Sequence, residues 1–105
     1  MADLMKILQQ AHEMQGKLQE IQSELEQKSV TGSAGGGMVT VVADGKGTVK
    51  SVKIDPSVVT ASDVEMLEDL VVVALADAQR KATELAQAEM GKLSGGLPLP
   101  FKLPF

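Results

Sequence analysis

The sequence predicts an α+β protein in which a small antiparallel sheet lies between two long helices. Residues 38–43 and 48–54 are two runs rich in β-branched side chains on either side of Asp44-Gly45-Lys46-Gly47, a pattern typical of a β-hairpin. Before this stretch, and over most of the chain after it, apolar side chains recur at helical spacing. At 105 residues the chain has the length of one domain.

The first helix is predicted over residues 2–28. Its apolar positions alternate spacings of three and four, an a/d pattern sustained over three heptads. They are Leu4, Ile7, Ala11, Met14, Leu18, Ile21 and Leu25. A helix of this length spans roughly 40 Å. A small hairpin cannot cover that length, so we expect the apolar seam to need a second helix.

The sheet is predicted over residues 29–55. Gly45 is expected to supply the positive φ of the tight turn. Ser29-Val30-Thr31 has β character and favours a third strand ahead of the glycines at 35–37, the alternative being a flexible linker. With a third strand, the glycines of residues 32–37 serve a sharp turn or a close backbone approach. They do not resemble a phosphate-binding loop, because a strand follows them where such a loop needs a helix.

The second helix is predicted over residues 62–91, with Ser62 as its cap and Glu65 completing a capping box. Acidic residues crowd its first two turns. Two interpretations are open: a helix start favoured by the helix dipole, or a metal site. The first is favoured because the single histidine, His12, is distant in sequence.

Residues 70–76 are apolar on all sides of this helix. Such a segment is expected to be buried all round, which one small protomer can hardly provide, so the sequence predicts a homodimer. Residues 94–105 contain three prolines and are predicted to form an extended, non-helical tail, either docked in a groove or free to bind a partner. The predicted organisation is one domain over residues 1–93 and a tail over residues 94–105.

Composition argues against several classes of protein. There is no cysteine and one histidine, and no Ser-His-Asp or metal-ligand spacing stands out, so we predict no enzyme, metal, cofactor or small-molecule substrate. No run of about 18 apolar residues is present, so no membrane association is expected. The N-terminal residues do not resemble a signal peptide.

The net charge of −4 is distributed unevenly. Residues 56–79 carry five carboxylates and no lysine or arginine, whereas residues 80–105 carry four cations and two carboxylates. If the two helices pack antiparallel as an arm projecting from the sheet, the cations of both helices are expected toward its far end. That arrangement would give an acidic protein an anion-binding surface.

Several segments together resemble the YbaB/EbfC family of bacterial nucleoid-associated proteins. They are Val30 to Gly37, Val52 to Ser57, Glu65 to Leu70, Asp77-Ala78 with Arg80-Lys81, and the closing Pro-Phe-Lys-Leu-Pro-Phe. The resemblance implies an α-β-β-β-α protomer, a tweezers-like homodimer, and binding of double-stranded DNA through the two long helices. It also implies a cytoplasmic, nucleoid location and roles in nucleoid organisation and gene regulation.

The resemblance extends to Arg80 and Lys81, which match the family's basic pair, while the other candidate DNA contacts rest on the arm geometry. The predicted DNA-binding residues are Lys6, Lys17, Arg80, Lys81 and Lys92. The predicted dimer interface comprises Val39, Val41, Val52, Leu70, Val71, Val73 and Ala74. With no tryptophan or tyrosine and one arginine, the chain is expected to contact mainly phosphates, with little sequence preference.

A second function stays open at this point. The helical seam and the Leu/Pro/Phe tail are also typical of a protein-interaction scaffold that does not bind DNA directly.

Overall fold

The computed structural model describes residues 2–96, and the fold follows the order α-β-β-β-α. Its elements are α1 (Ala2–Gln27), β1 (Ser29–Ala34), β2 (Val39–Asp44), β3 (Val49–Ile54) and α2 (Val64–Gly96). Single 3-10 turns at Gly35–Gly37 and Pro56–Val58 join β1 to β2 and β3 to α2. The predicted fold class and the predicted third strand are therefore confirmed.

The three strands form an antiparallel meander in the order β1-β2-β3. Ser29 pairs with Asp44 and Ala34 with Val39, while Val41 pairs with Val52 on the other side of β2. The register between β2 and β3 shifts at Val42/Ala43, where a bulge inserts an extra residue. Because β2 is central, its alternate residues facing α2 are the most deeply buried of the sheet.

The hairpin turn differs in one detail from the prediction. The positive φ falls on Gly47, at 90°, and not on Gly45. Gly45 instead brings the turn against α1: its N–H donates to the carbonyl of Leu25 at 2.8 Å, and a Cβ added there would lie 2.8 Å from Leu25 atoms. The buried carboxylate of Asp44 closes the turn by accepting from the N–H groups of Lys46 and Thr48.

Gly32 sets the distance between α2 and the sheet. A Cβ at this position would lie 2.2 Å from the backbone nitrogen of Ala78 and 2.4 Å from the carbonyl oxygen of Ala74. The helix can approach this closely because its contact residues are small: Ala74, Ala78 and Ala82 recur every four residues and are buried. The predicted close backbone approach of the glycine stretch is thus confirmed at Gly32.

The main core lies between α2 and the helix-facing side of β1 and β2. Its fully buried members include Val39, Val41 and Ala74, all with 0% exposure. The sequence placed these three residues at a dimer interface. In the structure they pack inside the protomer and have no surface left to contact a second copy.

Both ends of α2 differ from the prediction. Asp63, and not Ser62, caps the helix, accepting from the N–H of Met66 at 3.1 Å. The helix does not stop at Gly91 but continues to Gly96, so residues 94–96 of the predicted tail are helical. A glycine inside a helix costs only about 1 kcal/mol, so Gly91 need not end α2. The first proline after Gly91 is Pro98, and proline lacks the backbone N–H that a helix interior requires. Residues 97–105 of the tail lie outside the described part of the chain.

The protomer is elongated, measuring 72 × 22 × 16 Å. A helix the length of α2 accounts for roughly 50 Å of this, and the sheet lies alongside its first half. The remaining length fits α1 running antiparallel to α2 and projecting past its end. The burial of α1 agrees: Leu25 is buried, Met14, Leu18 and Ile21 are half-buried, and every described side chain before Met14 is exposed.

Candidate nucleic-acid interface

Arg80 and Lys81 belong to an ion-pair network on α2, centred on Asp77. Arg80 pairs with Asp77 and Glu84, each at 2.8 Å. The ammonium of Lys81 lies 3.3 Å from Asp77 and donates to the carbonyl of Thr31 at 2.9 Å. Two cations thus meet two carboxylates, and the network is close to neutral.

This network also closes the outer edge of the sheet. Asp77 accepts from the backbone N–H of Ser33 at 3.0 Å, and Lys81 donates to the carbonyl of Thr31. Both groups point away from β2, on the edge where a further strand would pair. Arg80 and Lys81 therefore lie beside the sheet and not at the far end of the arm, where the sequence had placed them.

A second pair of cations meets at the C-terminal part of α2. The ammonium of Lys28 lies 2.7 Å from the buried carboxylate of Glu89, and that of Lys92 lies 3.4 Å from the same oxygen. The hydrogen bond from Lys28 is the main reason why the pKa of Glu89 falls below its ordinary value. Lys28 joins the end of α1 to α2, and Lys92 keeps 74% of its side chain exposed.

Lys6 and Lys17 differ from these residues in having no internal counter-charge. Within residues 2–96, no carboxylate lies at ion-pair distance from either ammonium. Both side chains are exposed on α1. They are eleven positions apart, close to three turns, so they project from one side of the helix roughly 16 Å apart. This side is available to a polyanion.

Apolar side chains remain exposed at the opposite end of the protomer, on β3 and the first half of α2. Ile54 and Val52 pair with Val39 and Val41, and so face the same side of the sheet, but α2 lies mainly over β1 and β2. Val52 is 43% exposed and Val73 is 55% exposed, while Leu70 and Val71 are half-buried. Every residue of β3 is exposed in the single chain.

The acidic start of α2 provides no metal site in this structure. No cluster of three or more histidine, cysteine, aspartate or glutamate side chains in the described part of the chain is placed to hold a metal ion. Asp63 is engaged as the helix cap. Asp63, Glu65 and Asp69 instead border an open depression of about 360 Å³ beside Met66 and Leu70.

The sequence matches the model of the YbaB/EbfC DNA-binding family over residues 1–97. The chain belongs to this family. It is 52% identical to a nucleoid-associated protein of Gemmatimonas aurantiaca, over 98% of this chain and 99% of that protein. It is 49% identical to a nucleoid-associated protein of Nitrobacter winogradskyi, over 100% and 99% of the two chains. The family resemblance drawn from the sequence is confirmed, and membership identifies a DNA-binding protein, not an enzyme.

The YbaB/EbfC fold is also found in a solved structure. An uncharacterized protein from Helicobacter pylori superposes with a TM-score of 0.74, covering 83% of this chain and 91% of its own, at 22% sequence identity. At that identity the comparison concerns the fold alone. Within the part of the chain described, neither helix is long and apolar enough to cross a membrane.

Asp77 is the residue of this YbaB/EbfC protein that sequence reasoning missed. Its carboxylate accepts hydrogen bonds from the Ser33 N–H and from the side chains of Arg80 and Lys81. These bonds lower the pKa of Asp77 to about 2, and the bond from the Ser33 N–H has the largest effect. The available signal was the spacing: Arg80 and Lys81 follow Asp77 at i+3 and i+4, where helical side chains meet. The contact with β1 could not be read from spacing.

We expect Asp77 to make the fold acid-sensitive. Its folded pKa lies below the ordinary 3.8, so its contribution to stability is full above about pH 4 and is lost as the pH falls toward 2. Replacing Asp77 with asparagine should lower the urea midpoint at neutral pH and flatten its decline between pH 4 and pH 2. Asp69→Asn, on the same helix and with no hydrogen-bond partner for its side chain within residues 2–96, is the control and should keep the wild-type decline. An unchanged slope in Asp77→Asn would contradict the assignment.

Proposed function

We propose that this protein is a nucleoid-associated homodimer that grips duplex DNA mainly through phosphate contacts from its helical arms. Its roles would be nucleoid organisation and gene regulation, in the cytoplasm at the nucleoid; the names of its relatives support the association with the nucleoid. Membership of a DNA-binding family supports DNA as the ligand. The observation that carries the placement is the pair of uncompensated lysines on α1: Lys6 on the part that projects past α2, and Lys17 beside the last turns of α2.

Charge separation along the protomer favours contact through the arm. The acids at the start of α2 lie next to Ala34 and Gly35, at the sheet end, and would repel phosphate there. Lys6 and Lys17 lie toward the other end of the long axis, where residues 3–20 carry three carboxylates and two lysines, whereas residues 63–69 carry four carboxylates and no cation. An exposed lysine without an internal partner gives up no ion pair when it binds a phosphate, whereas Lys81 would have to leave both Asp77 and Thr31.

The other predicted DNA contacts therefore rank below these two lysines. Arg80 and Lys92 have 58% and 74% of their side chains exposed and can reach a phosphate by exchanging their carboxylate partners. Lys81 is half-buried and bonded to β1. We assign Lys81 to the fold, Lys6 and Lys17 to primary phosphate contact, and Arg80 and Lys92 to secondary contact.

The dimer is proposed through β3 and the adjoining apolar surface of α2. The outer edge of β1 is closed by Asp77 and Lys81, so β3 is the open edge of the sheet. Val52 and Val73 offer apolar surface of the kind that subunit interfaces bury. Joining two protomers at their sheet ends would leave two arms free to hold one duplex between them.

The salt dependence of DNA binding tests the proposal. Lys6→Gln/Lys17→Gln is expected to weaken binding to a random-sequence duplex about tenfold at moderate salt. Each lost phosphate contact should also reduce the slope of log affinity against log salt by about 0.9. Loss of both lysines should therefore reduce the slope by about 1.8 for each protomer that binds the DNA. Titration by fluorescence anisotropy from low to moderate salt measures both quantities.

The control removes the same charge from the hairpin. Lys46→Gln/Lys50→Gln takes away two lysines near the sheet, where Lys46 pairs with Glu26 and Lys50 lies 3.7 Å from Asp44. This variant should keep nearly the wild-type slope. Equal losses of DNA affinity in the two double variants would mean that net charge, and not the position of the lysines on the arm, governs binding. Wild-type protein that binds no DNA at low salt would favour the scaffold function instead.

A further inference from the structure

The apolar seam of α1 continues beyond the part of the helix that α2 accompanies. The long axis of the protomer measures 72 Å, and α2 accounts for roughly 50 Å of it. The remaining length, roughly 22 Å, corresponds to about 15 residues of α1, so residues 2–16 project past the end of α2. On this stretch Leu4 is 56% exposed, Ile7 is 60% exposed and Leu8 is 61% exposed. Three large apolar side chains on the projecting arm are therefore open to a partner.

The spacing of this stretch is that of one strand of a coiled coil. The apolar residues alternate steps of three and four, which places them on one stripe of the helix. They are Leu4, Ile7, Ala11 and Met14. Leu8 lies next to Ile7 and broadens the stripe. A helix with such a stripe fits a second helix with the same spacing, and the same stretch of another copy provides one.

The position of α2 decides the direction of a second helix. Leu18, Ile21 and Leu25 already line a groove against α2, so the seam is occupied from about residue 17 onward. A parallel partner would bring its own α2 and sheet to this same end of the arm. An antiparallel partner instead places the two sheets at opposite ends. Its helix would run in the same direction as α2 and begin where α2 stops, so it continues the cover of the seam.

One antiparallel register matches all the apolar positions of the stripe. When Leu4 faces Met14 of the second copy, Ile7 faces Ala11 of that copy. Two-fold symmetry repeats both contacts with the copies exchanged. The two Leu8 side chains then meet beside the symmetry axis. The register therefore covers each large apolar residue of one arm with an apolar residue of the other.

The charges beside the stripe fit the same register. Asp3 and Lys17 are two heptads apart, so they lie on the same flank of α1. The register brings Asp3 of each copy beside Lys17 of the other, which gives two pairs of opposite charge. Neither residue has an ion-pair partner among the residues that the structure describes. A parallel register would instead set Asp3 against the apolar side chain of Leu8.

We infer that residues 2–16 of α1 pair antiparallel with the same stretch of a second copy. Where each arm belongs to the proposed sheet-end dimer, this contact links one dimer to the next. That linkage rests on the proposed dimer, whereas the contact between arms does not. Lys6 lies on the outer side of the pair and keeps its access to phosphate, while Lys17 is shared between phosphate and Asp3 of the second copy.

Single cysteines test the contact and its register, because the sequence contains none. Full-length chains with Ile7→Cys and with Ala11→Cys are mixed under mild oxidation, and disulfide formation is followed on non-reducing gels. The mixed pair should link about tenfold faster than either variant links with itself, because facing thiols have a high effective concentration. Leu4→Cys mixed with Ala11→Cys is the control: both residues lie on the stripe but do not face each other, so this pair should stay slow. Equal rates in all samples would mean chance collision, and fast self-linking of Ile7→Cys would mean a parallel pair; either result overturns the inference.

Reversal of the flanking charges tests the same register by a different interaction. Adding Lys17→Asp to both cysteine chains sets a carboxylate against Asp3 of the other copy and should slow the mixed disulfide several-fold. Adding Asp3→Lys as well restores opposite charges and should return most of the rate. A rate that neither change alters, or that the second change lowers further, would overturn the pairing of Asp3 with Lys17.

Val52→Asp separates this contact from the proposed sheet-end dimer. When both cysteine chains carry Val52→Asp, the mixed disulfide should still form within a few fold of the original rate, because the arms meet independently of β3. A rate that falls together with the sheet-end dimer would place both arms within one dimer and overturn the linkage of dimers. A fast mixed disulfide in a chain that never dimerises through β3 would overturn the proposed dimer and leave the arm contact standing.

Discussion

Gly32→Ala is expected to lower the free energy of unfolding by about 3 kcal/mol, more than 100-fold in the ratio of folded to unfolded protein. The added Cβ would lie 2.2 Å from the nitrogen of Ala78 and 2.4 Å from the carbonyl oxygen of Ala74. Both are backbone atoms, so no side chain can rotate away, and α2 must move off β1. That movement would open the contacts of Val39 and Val41 with the helix and strain the bonds that Asp77 and Lys81 make to β1.

Gly16→Ala is the matched control. Gly16 lies within α1, and a Cβ there meets nothing within 4 Å. Alanine in a helix is favoured over glycine by up to about 1 kcal/mol, so this variant should be slightly more stable than wild type. Urea unfolding at one fixed protomer concentration measures both, since association would make the midpoint depend on concentration. Equal stability of Gly32→Ala and wild type would show that α2 can shift without loss.

The elements of the fold could be predicted because each has a local cause. The a/d spacing of Leu4 to Leu25 sets α1, and the β-branched runs around Asp44 set the hairpin. The errors were also local. Gly45 and Gly47 are both possible turn glycines, and only the approach of Leu25 in three dimensions decides that Gly45 makes the contact and Gly47 carries the positive φ.

The candidate site was harder to predict because it depends on which charges are already paired. From the sequence, Arg80-Lys81 is the obvious basic pair and Lys6 is an ordinary surface lysine. In the structure Arg80 and Lys81 are already bound to Asp77, Glu84 and the backbone of β1. Lys6 has no counter-charge within the described residues, so it is the more available cation. Sequence spacing shows the i+3 and i+4 partners on the helix, but not the carbonyl of Thr31, fifty residues away.

The predicted subunit surface changed for a related reason. The alternation in β2 puts Val39 and Val41 on one face of the strand, but it cannot show whether that face is the core of a protomer or an interface. The structure buries both residues under α2 and leaves their cross-strand partners, Ile54 and Val52, partly exposed. An acidic substitution at Val41 would therefore unfold the protomer, so a test of the proposed dimer belongs on β3.

Val52→Asp is expected to weaken the proposed dimer about 100-fold or more while leaving the protomer folded. Val52 is 43% exposed in the single chain, so the carboxylate can stay hydrated there. In a two-fold symmetric interface the substitution occurs twice and places two unpaired charges against an apolar surface. A cost of about 1.4 kcal/mol in each copy already gives the 100-fold change.

Analytical ultracentrifugation over a dilution series measures the dimer constant, and far-ultraviolet circular dichroism checks that the helices persist. Val59→Asp is the control, because Val59 is 58% exposed and lies outside β3 and α2. It should leave the dimer constant within a few fold of wild type.

DNA binding then separates the two roles of the molecule. Val52→Asp should lose affinity in proportion to the loss of dimer and recover it at high protein concentration, whereas Lys6→Gln/Lys17→Gln should stay dimeric and remain weak. A Val52→Asp protein that stays dimeric on dilution would place the subunit contact elsewhere than β3.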